Sequence, residues 1–389
     1  MKQQPAKPSV DATRTGGFKR GMIDRPLFPT RRAVIGGMIA IGSLPRISNA
    51  ASTVRLTAGT YAQQGGFGLV SLKATNGGWT AGDAYAAIRN ASFGVLSQRH
   101  RLRYLLNEQQ EGMMGVYDLS LRQVAMSSTM GADPCHIGLS NDERLLATAN
   151  YSSGSVALWT LDPVTGLPAG EPQVVQHEGR GPDIGRQTGP HAHWVGFDRS
   201  GDILHSVDLG ADAVFSHHID RAAGRIVDTS IAYRAVAGSG PRHLVRHPRL
   251  PIAYLVAELA NTVTVLHAAA DGTFTPRGEV STLPGGFRGT SFAAHIAVNS
   301  AGTRLYVSNR GHDSIAVFVI GSKGDLRLVQ HVACGGHWPR FFTLMEDRKE
   351  MLVANERSGG IARLPLQQDG RLMTAVGNTP VRGVVFIIE

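Results

Sequence analysis

Residues 238–259 read GSGPRHLVRHPRLPIAYLVAEL. A Gly-Pro element opens the stretch, an alternating apolar run follows, a proline-rich turn reverses the chain, and a second apolar run ends at Glu258 and Leu259. Runs this short, bounded by Gly and Pro, read as paired β-strands rather than helices. The unit also gathers Arg242, His243 and Glu258, an anion clamp, a proton carrier and a base within one short span.

The same order of features recurs along the chain. Copies begin at Thr53 and Ala91 and then, more clearly, at Pro134-Cys135-His136, Pro190-His191-Ala192-His193, Pro241-Arg242-His243, Ala294-His295 and Trp338-Pro339-Arg340. Each second run closes on a small or polar dyad: Thr60-Tyr61, Asn107-Glu108, Asn150-Tyr151, Asp208-Leu209, Glu258-Leu259, Asn309-Arg310 and Asn355-Glu356. Several short strands repeating at about fifty residues are the pattern of a propeller blade. The expected fold is therefore all-β, a seven-bladed β-propeller over residues 54–389. The last apolar run, from Val381, is left over after the seventh copy, and its expected role is to pair with the first and close the ring, removing exposed edges. A two-sheet sandwich has no need of sevenfold self-similarity, and the combined Gly-His…Trp-Asp signature of the WD40 array does not appear.

The first fifty residues differ from the rest. Arg31-Arg32 precedes an apolar run over residues 33–44 and then Ser48-Asn49-Ala50, which predicts a twin-arginine-type export signal over residues 1–50 with cleavage after Ala50. The run is too short and too glycine-rich for a stable membrane anchor. A periplasmic or secreted address follows, with the twin-arginine export machinery as a partner. This segment holds nine Lys/Arg against two acids, +7 of the chain's formal +9, so the mature chain is nearly balanced and nucleic-acid binding is discounted. Two cysteines, Cys135 and Cys334, show no spacing of a disulfide framework or zinc site and are expected as free thiols.

In a propeller the innermost strands line an axial channel. The residues opening each copy should converge there: His136, His193, Arg242 with His243, His295 and Arg340, joined by Glu258 and Arg310 from the dyads. Such a pocket suits an anionic or polyhydroxylated ligand, because Arg binds carboxylate or phosphate bidentately and neighbouring cations keep a Glu ionised. No Cys-x-x-Cys element calls for a metal, no cofactor is implied, and no Gly-x-Ser-x-Gly elbow supports Ser-His-Asp catalysis. His217 and His218 are expected on an outer strand, facing solvent.

At GPHAHWVGFDRSGDILHSVDLGADAVFSHHID, GSGPRHLVRHPRLPIAYLVAEL, FAAHIAVNSAGTRLYVSNRGHDSIAVF and PCHIGLSNDERLLATANYSSGSVALW, the chain resembles the bacterial lactonase family of seven-bladed propellers. That family includes 6-phosphogluconolactonase and, more remotely, the carboxymuconate-lactonising enzymes. The resemblance implies a lactone hydrolase whose active-site quartet is His193, Arg242, Glu258 and Arg310. His136, His191, His243, His295 and Arg340 are expected to bind the substrate, a small lactone or anionic sugar. In this reading Glu258 activates water, the arginines hold the developing oxyanion, and His193 protonates the leaving ring oxygen. Alternatives are a muconate-type lactonising reaction and a non-catalytic periplasmic propeller. A binding scaffold would leave Glu258 and the arginines scattered or paired in salt bridges. Export would carry the protein away from cytosolic phosphorylated lactones.

Overall fold

Strands as apolar as Ile252–Ala257, buried at every position, bury side chains on both faces and so need packed sheets on either side. A ring of radial sheets provides this. The computed structural model describes residues 55–389, and the export-type segment expected over residues 1–50 lies outside the described residues. Seven four-stranded antiparallel sheets follow one another along the chain, each running from its innermost strand outward. The innermost strands of blades 2 to 7 are Ala91–Ser97, Pro134–Leu139, Ala192–Phe197, Pro241–Arg246, Phe292–Val298 and Pro339–Met345.

Blade 1 takes its innermost strand from the C-terminus. Val384–Ile388 pairs antiparallel with Arg55–Thr60, with Ile387 opposite Ala58 and Phe386 opposite Gly59. The leftover run thus closes the ring as expected, and the two ends of the propeller are hydrogen-bonded into one sheet.

The core lies between adjacent blades. Tyr254, Val256 and Val265 of blade 5 pack against Leu305, Val307 and Phe318 of blade 6, and Tyr104, Leu106 and Met114 of blade 2 against Leu146 and Trp159 of blade 3. A latch not anticipated from sequence crosses several of these interfaces. The third residue of the second strand donates a hydrogen bond to a glycine carbonyl in the outer turn of the next blade. Tyr104 reaches Gly166 at 2.6 Å, His205 Nε2 reaches Gly272 at 2.7 Å, Tyr254 reaches Gly324 at 3.0 Å and Tyr306 reaches Gly370 at 2.7 Å. All four glycines have positive φ, between 73° and 86°, a left-handed turn conformation that side-chain-bearing residues rarely adopt.

His217 departs from expectation. It lies on the third strand of blade 4, Ala213–Asp220, and is fully buried. Its Nε2 meets Ser206 Oγ at 2.8 Å and its Nδ1 meets Thr229 Oγ1 at 2.9 Å. Ser206 Oγ is also 3.0 Å from His177 Nε2, and His177 Nδ1 is 2.8 Å from Asp208 Oδ2. This Asp-His-Ser order is fully buried, so it ties the end of blade 3 to blade 4 rather than meeting a substrate. His218, next along the strand, is half-buried.

Candidate active site

Each blade places its second-strand dyad in the same way, and the backbone shows which residue is equivalent to which. The amide of the second dyad member donates to the carbonyl just before the innermost strand: Tyr61 to Gly383, Glu108 to Asn90, Tyr151 to Asp133, Leu209 to His191, Glu258 to Gly240 and Glu356 to Trp338. The blade 5 dyad is therefore Ala257-Glu258, one residue earlier than the sequence alignment of copies placed it. Glu258 and Glu356 consequently stand at corresponding positions, and strand register puts Arg310 with them on blade 6, since Asn309 pairs with Ala293 as Ala257 does with Pro241 and Asn355 with Pro339.

The innermost strands carry a second regularity. In four of them the register shift skips a single residue directly after the first, between Pro134 and His136, Ala192 and Trp194, Pro241 and His243, and Pro339 and Phe341, and in blade 2 it falls between Ala91 and Gly94. A single-residue β-bulge of the first kind removes one residue from the ladder and re-aims its side chain. The residues removed are Cys135, His193, Arg242 and Arg340. The single ring expected from sequence is thereby split into two layers.

The outer layer centres on Glu258. Its Oε2 accepts from Arg242 Nε at 3.1 Å and forms an ion pair with Arg310 Nη2 at 2.6 Å, and its Oε1 accepts from Arg186 Nη2 at 2.7 Å. Arg242 also donates to the Ala294 carbonyl at 2.8 Å, and Arg310 to that of Ala293 at 3.2 Å, which fixes both guanidinium planes. Arg242, Glu258, Arg310 and His193 are each no more than 5 % exposed. His193 Nδ1 lies 3.6 Å from the free, buried thiol of Cys135, and His191 stacks on Tyr151 at 4.5 Å. The quartet drawn from the resemblance is brought together.

The next layer is aromatic and imidazole. His243 packs edge-on against His136 at 5.2 Å, His193 at 5.3 Å and His295 at 5.6 Å, and Phe93, Phe341 and Phe386 complete it. Arg242 Nη1 contacts His243 Nε2 at 3.0 Å. Since the guanidinium can only donate, His243 accepts there and carries its proton on Nδ1. His295, Phe93, Phe341 and Phe386 also line a cavity of about 640 Å³ opening at the opposite mouth, where Gln98 and Glu389 lie. His136, His243 and His295 thus make a partition across the channel.

The electrostatics follow from burial and crowded cations. Burial works to raise the Glu258 carboxyl, but Arg310, Arg242, His193 and Arg186 outweigh it and hold it well below the usual carboxylate range. Burial, with Arg310 and Arg340 nearby, pulls the Arg242 guanidinium down to about 9. Burial and then Arg242 push His193 and His243 well below the ordinary imidazole value; burial with His295 and Arg242 does the same to His136, and His295 falls to about 3. The site in its resting form is an ionised glutamate, charged arginines and neutral imidazoles.

Arg340 takes a separate place. It donates to Tyr61 OH at 2.7 Å, which donates in turn to Glu108 Oε2 at 2.8 Å. Burial opposes its charge, yet Tyr61, Glu356 and Glu108 more than compensate and raise its affinity for the proton. Sequence reasoning did not select Arg186, Tyr61, Glu108 or Glu356. The last three were visible as dyad members. Arg186 has no counterpart among the repeats: it sits in the long connection after Gln173–Gln176, held by Gln187, whose Nε2 donates to the Leu209 carbonyl at 2.8 Å. Among the described residues no three His, Cys, Asp or Glu side chains are grouped to hold a metal ion.

Comparison with known proteins agrees with this architecture. The family model described as "Lactonase, 7-bladed beta-propeller" matches residues 55–388. A 6-phosphogluconolactonase of Bacillus subtilis is 28 % identical over 332 residues, covering 82 % of this chain and 93 % of that protein. Among solved structures, a periplasmic gluconolactonase of Pseudomonas aeruginosa superposes with a TM-score of 0.79 at 26 % identity, covering 86 % of this chain and 98 % of that one. A protein from Lactobacillus plantarum superposes with a TM-score of 0.80, also at 26 % identity, covering 86 % and 99 %. The chain belongs to the lactonase family of seven-bladed β-propellers.

Proposed function

We propose that the chain hydrolyses the ester bond of a sugar-type lactone at the Glu258 cluster. The observation that carries this reading is the convergence of Arg242 and Arg310 on one carboxylate oxygen, with neutral His193 in the same layer. The sequence criterion for a lactonase was Glu258 and both arginines facing one small cavity, and for a binding scaffold the same residues scattered or paired in salt bridges. Here they are paired, and the lactonase reading takes that pairing as the resting state of the site. A carboxylate so strongly clamped is a poor base while it remains so. When the lactone oxygen accepts hydrogen bonds from Arg242 and Arg310, it competes with Glu258 for their donors, and the carboxylate regains basicity as substrate binds.

In the reaction, water attacks the ring carbonyl carbon and gives a proton to Glu258. The arginines receive the developing oxyanion. The bond from carbonyl carbon to ring oxygen then breaks, His193 donates its N–H proton to the leaving oxygen, and Glu258 returns a proton to His193. The product is the open hydroxy acid. The test is hydrolysis of aldonolactones by purified protein, with spontaneous opening subtracted; no rate above background from folded protein overturns the reading. We further propose export of the mature chain to the periplasm. No described helix is long and apolar enough to cross a membrane. Replacing Arg31 and Arg32 by lysine should leave the protein in the cytoplasmic fraction with its leader uncleaved.

A further inference from the structure

We propose that the wall built by Glu356, Tyr61, Glu108 and Arg340 is a hydroxyl-binding subsite, centred on Glu356, that selects an uncharged polyhydroxylated lactone over its phosphorylated counterpart. The inference rests on the lactonase reading for the identity of the ligand, but not for the existence of the subsite. Glu356 occupies on blade 7 the position that Glu258 occupies on blade 5, with the same amide contact to the carbonyl before the innermost strand. It is 7 % exposed, and its Oε2 is buried with no hydrogen-bond partner among the described residues. Native proteins leave few buried carboxylate oxygens unsatisfied, and the exceptions call for a partner that arrives from outside. A ligand hydroxyl supplies the missing donor.

The charges around it decide which ligand fits. Arg186, Arg242 and Arg310 are committed to Glu258 and, in the reaction, to the lactone carbonyl. Arg340 is committed to Tyr61, whose hydroxyl is in turn given to Glu108. Glu108 and Glu356 flank it, so this wall presents acceptors and one neutralised cation. Sugar hydroxyls both donate to carboxylates and accept from a guanidinium, matching that inventory. A phosphate dianion can only accept here, and it would lie against two carboxylates while the cation between them, Arg340, is already committed to Tyr61.

Two measurements test this on the full chain. The first compares kcat/KM for glucono-1,5-lactone and its 6-phosphate, and adds Glu356→Gln, which removes the charge at constant shape. Wild type should favour the neutral lactone by about tenfold or more, and the variant should shrink that ratio about tenfold, chiefly through KM. The second titrates gluconate and 6-phosphogluconate by calorimetry, which needs no turnover. Gluconate should bind the wild type more tightly than its phosphate, and Glu356→Ala should weaken gluconate at least about tenfold. Preference for the phosphorylated compounds, or equal losses on both in the variants, overturns the subsite while leaving the lactonase reading intact. Gluconate binding through Glu356 without hydrolysis removes the lactonase reading and keeps the subsite. No binding of either acid to the wild type overturns the subsite.

Discussion

Replacing Glu258 by glutamine tests the site's chemistry and its electrostatic construction together. Arg242 is already held down to about 9 with Glu258 present. Against an ordinary guanidinium, that displacement is on the order of 5 kcal/mol at about 1.4 kcal/mol per pH unit. Removing the one carboxylate that contacts Arg242, Arg310 and Arg186 leaves two buried cations and one partly exposed cation facing each other. Loss of one partner from a buried pair costs about 3–5 kcal/mol. Arg186, about a third exposed at its side chain, is screened by water, so the lower end of that range is expected. Glu258→Gln should therefore unfold at lower denaturant, by about 3 kcal/mol, while kcat falls about 10²–10⁴-fold. Adding Arg242→Met should recover much of the stability, since replacing both members of a buried pair is often neutral, and recover none of the activity. Equilibrium unfolding and lactone hydrolysis measure the two effects separately. A glutamine variant within about 0.5 kcal/mol of wild type would show that the three arginines do not depend on Glu258. One within about threefold in kcat would show that the carboxylate is not the base.

Further expectations follow from other parts of the molecule. Tyr306→Phe, which leaves the buried Gly370 carbonyl without its donor, should cost about 1–3 kcal/mol in chemical unfolding with no change in turnover. His205 and His295 titrate near 4 and 3 in the folded protein because burial, reinforced by Arg246 and Arg242 respectively, disfavours their charge. An unfolded histidine titrates near about 6.5, so the unfolded chain binds the extra protons. Stability from these two is held above about pH 6.5 and lost as pH falls below it, at about 2.7 kcal/mol per pH unit near pH 5, with His136, His193, His217 and His243 adding in the same direction; denaturation midpoints across pH 5–8 read this directly. Arg186→Ala removes a donor from Glu258 Oε1 and should raise the apparent pKa of the acid limb of the kcat/KM profile, measured from pH 4 to 8.

The propeller was legible in the sequence because its blades are local. Each is a meander of short apolar runs separated by turns, so strand order follows chain order and repetition alone counts the blades. The closing strand was legible for the same reason: one apolar run remained after seven copies, and it pairs with Arg55–Thr60. The quartet of His193, Arg242, Glu258 and Arg310 was reached through family motifs, and its members come from three successive blades that sequence can only set side by side. Tertiary structure decided how they face. A bulge of a single residue at Pro241–His243, invisible as composition, sends Arg242 to Glu258 and His243 into the partition beneath. The same device separates His193 from His136, which the sequence had placed in one ring. Arg186 arrives from a connection outside the repeat, and His217 is buried because a histidine of blade 3 and a serine of its own sheet close over it. Periodicity determines which strand a residue occupies; the direction of its side chain and the charge it can keep depend on bulges, on loops without counterparts and on neighbours from other blades.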